Sequence, residues 1–332
     1  MNKPVIAITM GDAAGIGPEI VVKVLAQRAA AASCYPFVVG DAEVMAEAGR
    51  SVGSTLRFKP VERLSEAGFS PLEVEVLCPE GLHIGPVPRG KVDPAMGQAA
   101  ALCLRKAYEL AMAGQIQGVV SAPLNKEALH LAGYDYLDEL AYLADLTGSR
   151  ETFILGVMGP LWTVAVTEHI AFRAIPDTIK KDRVQRTISN LHAALRKAGI
   201  AAPRIAVAAL NVHAGEGGLF GREELDEIAP AIQEAQSQGI KAHGPVPADM
   251  VFVKALQGEY DGVVCMYHDQ ANIARKLQPK RISATLFMGL PVVCGTTAHG
   301  TAFDIAGQGI ADPGSLEAAL RYTVQLSSGT AG

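Results

Sequence analysis

The stretch VIAITMGDAAGIGPE, residues 5–19, predicts the fold more directly than any other segment of the chain. Val5–Thr9 is a short apolar run without polar alternation, which is typical of a strand buried on both faces. Gly11–Glu19 follows that strand and opens a helix, with Pro18 near the first helical turn. The free backbone N–H groups of such a turn can hold an anion, although the GxGxxG dinucleotide spacing is absent. The spacing is equally compatible with a tight strand-to-helix turn that binds nothing.

The alternation of strands and helices continues along the chain. Amphipathic helices are predicted from about Asp182 to Ala198 and from about Ala95 to Ala113, each followed by a glycine. Alternating strands and helices predict an α/β fold with a mainly parallel sheet, in which ligands bind beyond the carboxyl ends of the strands. Further strands are predicted at short apolar runs: Phe37–Val39, Val119–Ser121, Phe153–Leu155, Val164–Thr167, Ile205–Leu210 and Val263–Met266.

Composition limits the class of protein. The 332 residues suffice for two domains, and 49% hydrophobic against 19% charged residues favours a sizeable core over disorder. A net charge of -5 without a long basic run argues against nucleic acid as the main partner. The five cysteines lack CxxC spacing, which argues against a disulfide framework or a structural zinc site. The N-terminus lacks a signal-peptide pattern and no apolar run is long enough to span a membrane, so we expect a cytoplasmic protein without a membrane partner.

A predicted strand ends at Ser121 and is followed by Ala-Pro-Leu-Asn-Lys-Glu, which presents Lys126 at the start of a helix. A lysine at a strand end can donate or accept a proton if it is partly desolvated. The alternative is an ordinary solvated lysine in a first helical turn.

Three histidines, His169, His213 and His268, each come just after a predicted strand. Imidazoles bind zinc, cobalt, nickel and iron, and three such ligands leave coordination positions open for substrate oxygens. A single histidine at such a place has more often a hydrogen-bonded structural role, but three in polar contexts favour a metal site.

A glycine-rich segment, His299–Pro313, runs toward the final helix. Its glycines would let the backbone approach a nucleotide closely, and a surface loop is the alternative interpretation. We call this segment the cofactor loop.

Taken together, these segments resemble the 4-hydroxythreonine-4-phosphate dehydrogenase family of vitamin B6 biosynthesis over nearly the whole chain. The cofactor loop also resembles the HGSAPDIAG loop of isopropylmalate and isocitrate dehydrogenases, which wraps the adenosine end of NAD. The matching segments are Gly11–Glu19, Ala122–Leu129 (APLNKEAL), Asn211–Arg222, Met266–Gln270 (MYHDQ) and His299–Pro313.

The resemblance implies a homodimer of two-lobed α/β/α subunits of the isocitrate and isopropylmalate dehydrogenase type, with the active site in the cleft between lobes. It implies a first lobe of residues 1–125 and 300–332 and a second lobe of residues 126–299. It implies NAD or NADP and one divalent metal (Zn, Co, Ni, Mn or Mg) held by His169, His213 and His268, with ligands from both subunits. Asp249 and Lys276 would reach a small-molecule substrate, and Lys126 or Asp249 would move protons. The cofactor contacts implied are His299, Gly300, Thr301, Ala302, Asp304 and Asp312.

The chain departs from the family where the substrate phosphate is bound. The Gly-His-Thr-Glu of the family is replaced by a stretch containing Glu139 and Leu140, an Asn by Thr285 and an Arg by Cys294. Because cysteine cannot replace the bidentate fork of arginine, we expect a substrate without that phosphate. The expected activity is oxidation and decarboxylation of a hydroxy or diol acid, such as terephthalate 1,2-cis-dihydrodiol. The alternatives are 4-hydroxythreonine-4-phosphate dehydrogenase itself and an inactive metabolite-binding homologue.

Overall fold

The computed structural model describes residues 3–70, 72–277 and 283–328 and confirms the α/β class. The strands of these residues are β1 (Val5–Thr9), β2 (Tyr35–Val39), β3 (Arg57–Val61), β4 (Glu73–Leu77), β5 (Gly118–Ser121), β6 (Phe153–Met158), β7 (Leu161–Thr167), β8 (Arg204–Ala208), β9 (Lys241–Val246), β10 (Gly262–Tyr267), β11 (Ser283–Met288) and β12 (Val293–Thr297). Their helices are α1 (Gly17–Leu25), α2 (Arg28–Ser33), α3 (Ala42–Ser51), α4 (Pro94–Met112), α5 (Lys126–Leu131), α6 (Glu139–Thr147), α7 (Ile175–Thr178), α8 (Lys181–Lys197), α9 (Ala229–Ser237), α10 (Ala248–Leu256), α11 (His268–Lys276) and α12 (Gly314–Ser328).

The structure divides into two compact units. The first contains residues up to 153 and those from 283 onward, and the second contains residues 154–282. Residues 126–153 and 283–299 therefore belong with the first unit here, whereas the sequence-based boundaries assigned them to the second lobe. The ends of the predicted first lobe, 1–2 and 329–332, lie outside the described residues.

The first unit has the strand order β3-β4-β2-β1-β5-β12-β11, in which β11 is antiparallel to β12 and the other pairs in this order are parallel. The chain leaves β1 toward β2 on one side of the sheet and later returns to β5 on the other side. The carboxyl ends of β1 and β5 thus form a topological switch point, where the strand connections part and leave a crevice. This is where the Gly11–Glu19 turn and Lys126 emerge.

Two helices of the first unit pack unusually closely. A Cβ atom placed on Gly97 of α4 would lie 2.2 Å from the backbone oxygen of Ala128 in α5. Glycine is required there because any side chain would push α5, and with it Lys126, away from α4.

The second unit has the strand order β6-β7-β10-β8-β9, with β6 antiparallel to β7 and the other strands parallel. Its core includes Leu161, Ala206, Val251, Val263 and Cys265, all buried. Among the described residues, no helix is both long and apolar enough to cross a membrane.

Candidate active site

Three loops of the first unit meet at the switch point. The backbone N–H of Asp12 donates to the Pro123 carbonyl at 2.9 Å, and that of Ile16 donates to the Thr301 carbonyl at 3.0 Å. The turn after β1 therefore touches both the loop that precedes Lys126 and the cofactor loop. The sequence motifs of the first unit lie together, although they are far apart in the chain.

Asp12 is a buried carboxylate inside this junction. Its Oδ1 accepts from the Ala14 N–H at 2.8 Å, while Oδ2 has no hydrogen-bond partner in the described structure. Burial raises the pKa of Asp12 to about 6, against the lowering effect of the Ala14 hydrogen bond, and nearby Asp93 raises it further. Asp12 was not among the site residues predicted from the sequence, although an acid within a glycine-rich turn of an otherwise apolar segment was a usable signal.

Lys126 is the first residue of α5, and its side chain is exposed. The Asn125 side chain caps this helix by accepting from the Ala128 N–H at 2.9 Å. The cap and the end of β5 together fix the position of Lys126 at the carboxyl edge of the sheet.

Glu139 and Leu140 open α6 and are both buried, each 8% exposed. Burial raises the pKa of Glu139 to about 7; a Ser121 hydrogen bond lowers it, Asp138 raises it and the charge of Lys126 lowers it. Its Oε1 finds no hydrogen-bond partner within the part of the chain that the structure describes. Glu139 is thus a second carboxyl group that burial drives toward its neutral form.

Thr285 and Cys294 lie on the adjacent strands β11 and β12. Cys294 is fully buried beside Tyr108, and burial together with Glu139 raises the pKa of its thiol well above the usual value. Thr285 is half-buried and lies opposite Thr296 in the antiparallel pair. Cys294 is therefore a neutral thiol in the interior of the first unit.

The cofactor loop is exposed at most of its predicted contact residues, namely His299, Gly300, Asp304 and Asp312, with Ala302 half-buried and Thr301 buried. Ala302 has a left-handed backbone (φ 43°), which is unusual for a residue with a side chain. Thr301 packs against Gly15, where an added Cβ would lie 2.8 Å from the Thr301 carbonyl oxygen. Close packing of the loop against the turn after β1 explains the glycine at position 15.

The candidate metal centre lies in the second unit. One ligand atom from each of Glu168, His169 and His268 lies within 4.8 Å of the other two, and the two imidazole ring centroids are 5.6 Å apart. Strands β7 and β10 are parallel neighbours with Thr167 opposite Tyr267, so the residues after both strands emerge side by side. The Thr167 hydroxyl donates to the Met266 carbonyl at 2.8 Å and ties the two strand ends together.

The neighbours of His268 orient its ring. Nδ1 lies 2.6 Å from Oδ1 of Asp269, which leaves Nε2 available to a cation. Gln270 is buried and links the ends of β8 and β10, because its amide donates to the Ala209 carbonyl at 2.9 Å and accepts from the Met266 N–H at 2.6 Å. The MYHDQ segment is therefore a rigid support for one imidazole.

His213 is not in this cluster; in the described residues, Glu168 occupies the third place. The segment around His213 is left-handed through His213, Ala214, Gly215, Glu216 and Gly217, and the His213 ring is exposed beside Glu216. Successive left-handed residues with side chains are strained, which is a common feature of functional loops. Glu168 was not predicted as a ligand from the sequence, although its place directly before a strand-end histidine was an available signal.

Asp249 and Lys276 are exposed on helices of the second unit. Asp249 lies in the first turn of α10 and Lys276 is the last residue of α11, the helix that begins with His268. Before Lys276 comes Arg275, whose guanidinium is buried and packs over Gly156 of β6.

Comparison with known proteins identifies the family. Residues 32–323 match the family described as "Pyridoxal phosphate biosynthetic protein PdxA". The chain belongs to this family. It is 43% identical to a D-threonate 4-phosphate dehydrogenase of Cupriavidus necator, over 98% of each chain. A solved 4-hydroxythreonine-4-phosphate dehydrogenase from Burkholderia phymatum is 42% identical, with a TM-score of 0.85 over 98% of this chain and 99% of the other.

This PdxA-family chain is an enzyme, a dehydrogenase that acts on a CH–OH group of a small molecule. Its recognised relationship to the vitamin B6 family is confirmed. The inactive-homologue alternative finds no support in these relatives.

The expected non-phosphorylated diol acid substrate is wrong. A solved terephthalate 1,2-cis-dihydrodiol dehydrogenase from Burkholderia xenovorans is 30% identical over 98% of both chains, with a TM-score of 0.69, and is therefore less similar than relatives named for phosphorylated substrates. The structure supplies the physical reason. Three of the four residues on which the expectation rested, Glu139, Leu140 and Cys294, are more than nine-tenths buried, so their replacement does not describe an open pocket wall.

Proposed function

We propose that this PdxA-family enzyme oxidises a phosphorylated hydroxy acid with NAD or NADP and one divalent cation. D-threonate 4-phosphate is the first substrate to test, and 4-hydroxythreonine 4-phosphate is the second. The observation that carries the proposal is the similarity, over 98% of the chain, to a dehydrogenase named for D-threonate 4-phosphate.

The donor set of the second unit fits a divalent cation. Two imidazoles and a carboxylate suit zinc, cobalt, nickel and manganese, and a set of three leaves positions open for substrate oxygens. When bound, such a cation would supply a Lewis acid that favours ionisation of the substrate hydroxyl. Glu168, His169 and His268 would hold it, and Asp269 would keep the His268 ring in the ligating orientation.

We assign His213 to the same centre through a homodimer, in which one subunit supplies His213 to the metal ligands of the other. Two observations support this arrangement. The His213 ring is exposed outside the cluster of its own chain. Large apolar side chains are exposed on the segment around His213 and on α10: Val212, Leu219, Phe220, Met250, Val253 and Leu256. Exposed apolar groups of this kind favour a protein interface.

The chemistry follows from the substrate. Hydride leaves the carbon that bears the hydroxyl β to the carboxylate and goes to the nicotinamide ring, while the hydroxyl proton goes to a base. The resulting β-keto acid loses CO₂, and a proton is returned to the enolate carbon. Lys126 and Asp249 are the candidates for the two proton transfers, Lys276 is the candidate substrate contact, and the cofactor loop would bind the adenosine half of the nucleotide.

The test is reduction of NAD and of NADP, followed at 340 nm, with each phosphorylated acid and with Zn²⁺, Co²⁺ or Mn²⁺ added to chelator-treated enzyme. The proposal expects turnover that depends on the added cation and on His169 and His268. Full turnover after chelation, or no turnover with either acid under all cation conditions, contradicts it.

A further inference from the structure

Two charged side chains of α1 form hydrogen bonds with the end of the cofactor loop, within the first unit. The Lys23 ammonium donates to Oε1 of Glu19 at 2.8 Å, to the Gly309 carbonyl at 3.0 Å and to the Ala311 carbonyl at 2.6 Å. The Glu19 carboxylate accepts from the Gly309 N–H at 3.2 Å and from the Ala311 N–H at 2.8 Å. We call this arrangement of Glu19, Lys23, Gly309 and Ala311 the α1 clamp.

The α1 clamp uses the backbone N–H and carbonyl groups of both Gly309 and Ala311. Glu19 is only 3% exposed, so its hydrogen bonds form away from bulk water and are stronger than those of surface pairs. Gly309 is left-handed (φ 72°), and a Cβ there would lie 3.0 Å from the Ser51 carbonyl oxygen, so the backbone has little freedom at this point. Ile310 lies between the two hydrogen-bonded residues, and 64% of its surface is exposed.

The clamp also excludes one simple role for Lys23. An ammonium group has three protons, and Lys23 directs them at three oxygens of the protein. Lys23 therefore has no donor left for a nucleotide phosphate, although it lies in a helix that follows a glycine-rich turn.

We propose that Glu19 and Lys23 are positioning residues for the dinucleotide. They hold residues 309–311 in the binding conformation before the nucleotide arrives, so that binding does not have to order this segment. The inference rests on the proposed function, because it takes the cofactor loop as the nucleotide site. Ordering a loop on binding costs affinity, and a loop that is ordered in advance avoids that cost.

The experiment compares Lys23→Met and Glu19→Gln with Lys181→Met, which removes an exposed ion pair of the second unit (Lys181 to Glu234, 2.7 Å). NADH affinity is measured by fluorescence titration of the full-length protein, together with KM for the nucleotide and kcat at saturating nucleotide. Hydrogen exchange of the 309–312 amides is measured without nucleotide, because faster exchange there reports release of the clamp independently of activity.

Each clamp variant is expected to weaken NADH binding and raise KM for the nucleotide about tenfold or more, the effect of losing one charge-assisted contact. kcat at saturation is expected to stay within about twofold, and the amides of 309–312 are expected to exchange faster. Lys181→Met is expected to change none of these. Because Lys23 does not touch phosphate, the loss should be no smaller at high salt than at low salt.

The outcomes separate the two claims. If the wild type binds NADH and both clamp variants bind it equally well, the positioning role of Glu19 and Lys23 is contradicted, but the nucleotide assignment is not. A loss of affinity accompanied by an equal fall in kcat and by general unfolding also contradicts that role. Wild-type protein that binds neither NADH nor NADPH contradicts the nucleotide assignment and the clamp with it.

Discussion

Replacing Glu139 by glutamine should change how the stability of the enzyme depends on pH. Burial raises the pKa of Glu139 from 4.5 to about 7 in the folded state, so the folded chain retains a proton that the unfolded chain releases above its own, lower pKa. A raised carboxyl pKa stabilises the fold fully below the unfolded value. That stability is lost as pH rises through about 4.5 to 7.

The magnitude follows from the size of the shift. A pKa change of about 2.5 units corresponds to roughly 3 kcal/mol, since each unit is about 1.4 kcal/mol. Most of the pH range over which this stability is lost lies between pH 5 and pH 8. The free energy of unfolding of the wild type should therefore fall by about 2–3 kcal/mol over that interval because of Glu139. Glutamine has nearly the same shape as glutamate but does not ionise. The free energy of unfolding of Glu139→Gln should therefore fall less between pH 5 and pH 8 than that of the wild type.

Urea unfolding followed by circular dichroism at pH 5 and pH 8 measures the difference between the two proteins. The matched control is Glu127→Gln in α5, because Glu127 is exposed and its charge stays in water. The control should follow wild type at both pH values. If wild type and Glu139→Gln change in parallel from pH 5 to pH 8, the reasoning that burial keeps Glu139 neutral is refuted.

Three further predictions test the supports of the site. Asp269→Asn should weaken cation binding about 10- to 100-fold, because Asp269 orients the His268 ring; unchanged affinity in a cation titration would refute that role. Gly97→Ala should destabilise the enzyme by about 1–3 kcal/mol or more, because the added methyl meets the α5 backbone. The control Gly85→Ala, whose added methyl meets open space, should leave stability unchanged. Equal thermal midpoints of the two variants would contradict the packing argument. Met250→Asp on α10 should convert a dimer into a monomer in sedimentation velocity, and a wild-type monomer would count against the proposed assembly.

The sequence predicted seven strands from their apolar runs, namely β1, β2, β5, β6, β7, β8 and β10. It missed the largely buried strands β4, β11 and β12, whose apolar residues are interrupted by glutamate, serine, threonine or glycine. β1 was predicted at its observed bounds, and the long helices α4 and α8 were predicted to within one residue at each end. Strands β3 and β9 were also missed, because each lies at one end of the strand order of its own unit and carries polar residues such as Arg57, Lys59 and Lys241. Edge strands have a neighbour on one edge only and often carry charged side chains, so an apolar run is not required of them.

The candidate site was predictable only in part. That His169 and His268 would meet could be expected from their places after parallel strands, since neighbouring strands end at the same edge of a sheet. Pairing of β7 with β10 is a long-range feature that no local pattern encodes. The substrate expectation failed for a related reason, because the sequence shows which residue replaces another but not that Glu139 and Cys294 are buried.

The central claim is that the substrate carries a phosphate, and a comparison of D-threonate 4-phosphate with D-threonate tests it most directly. The measurement is kcat/KM for each acid with the same cation-loaded enzyme and a saturating nucleotide. Phosphate is held by charge-assisted hydrogen bonds of about 1.5–3 kcal/mol each, so two such bonds predict a preference of at least about a hundredfold for the phosphorylated acid. Equal values, or a preference for D-threonate, would contradict the account.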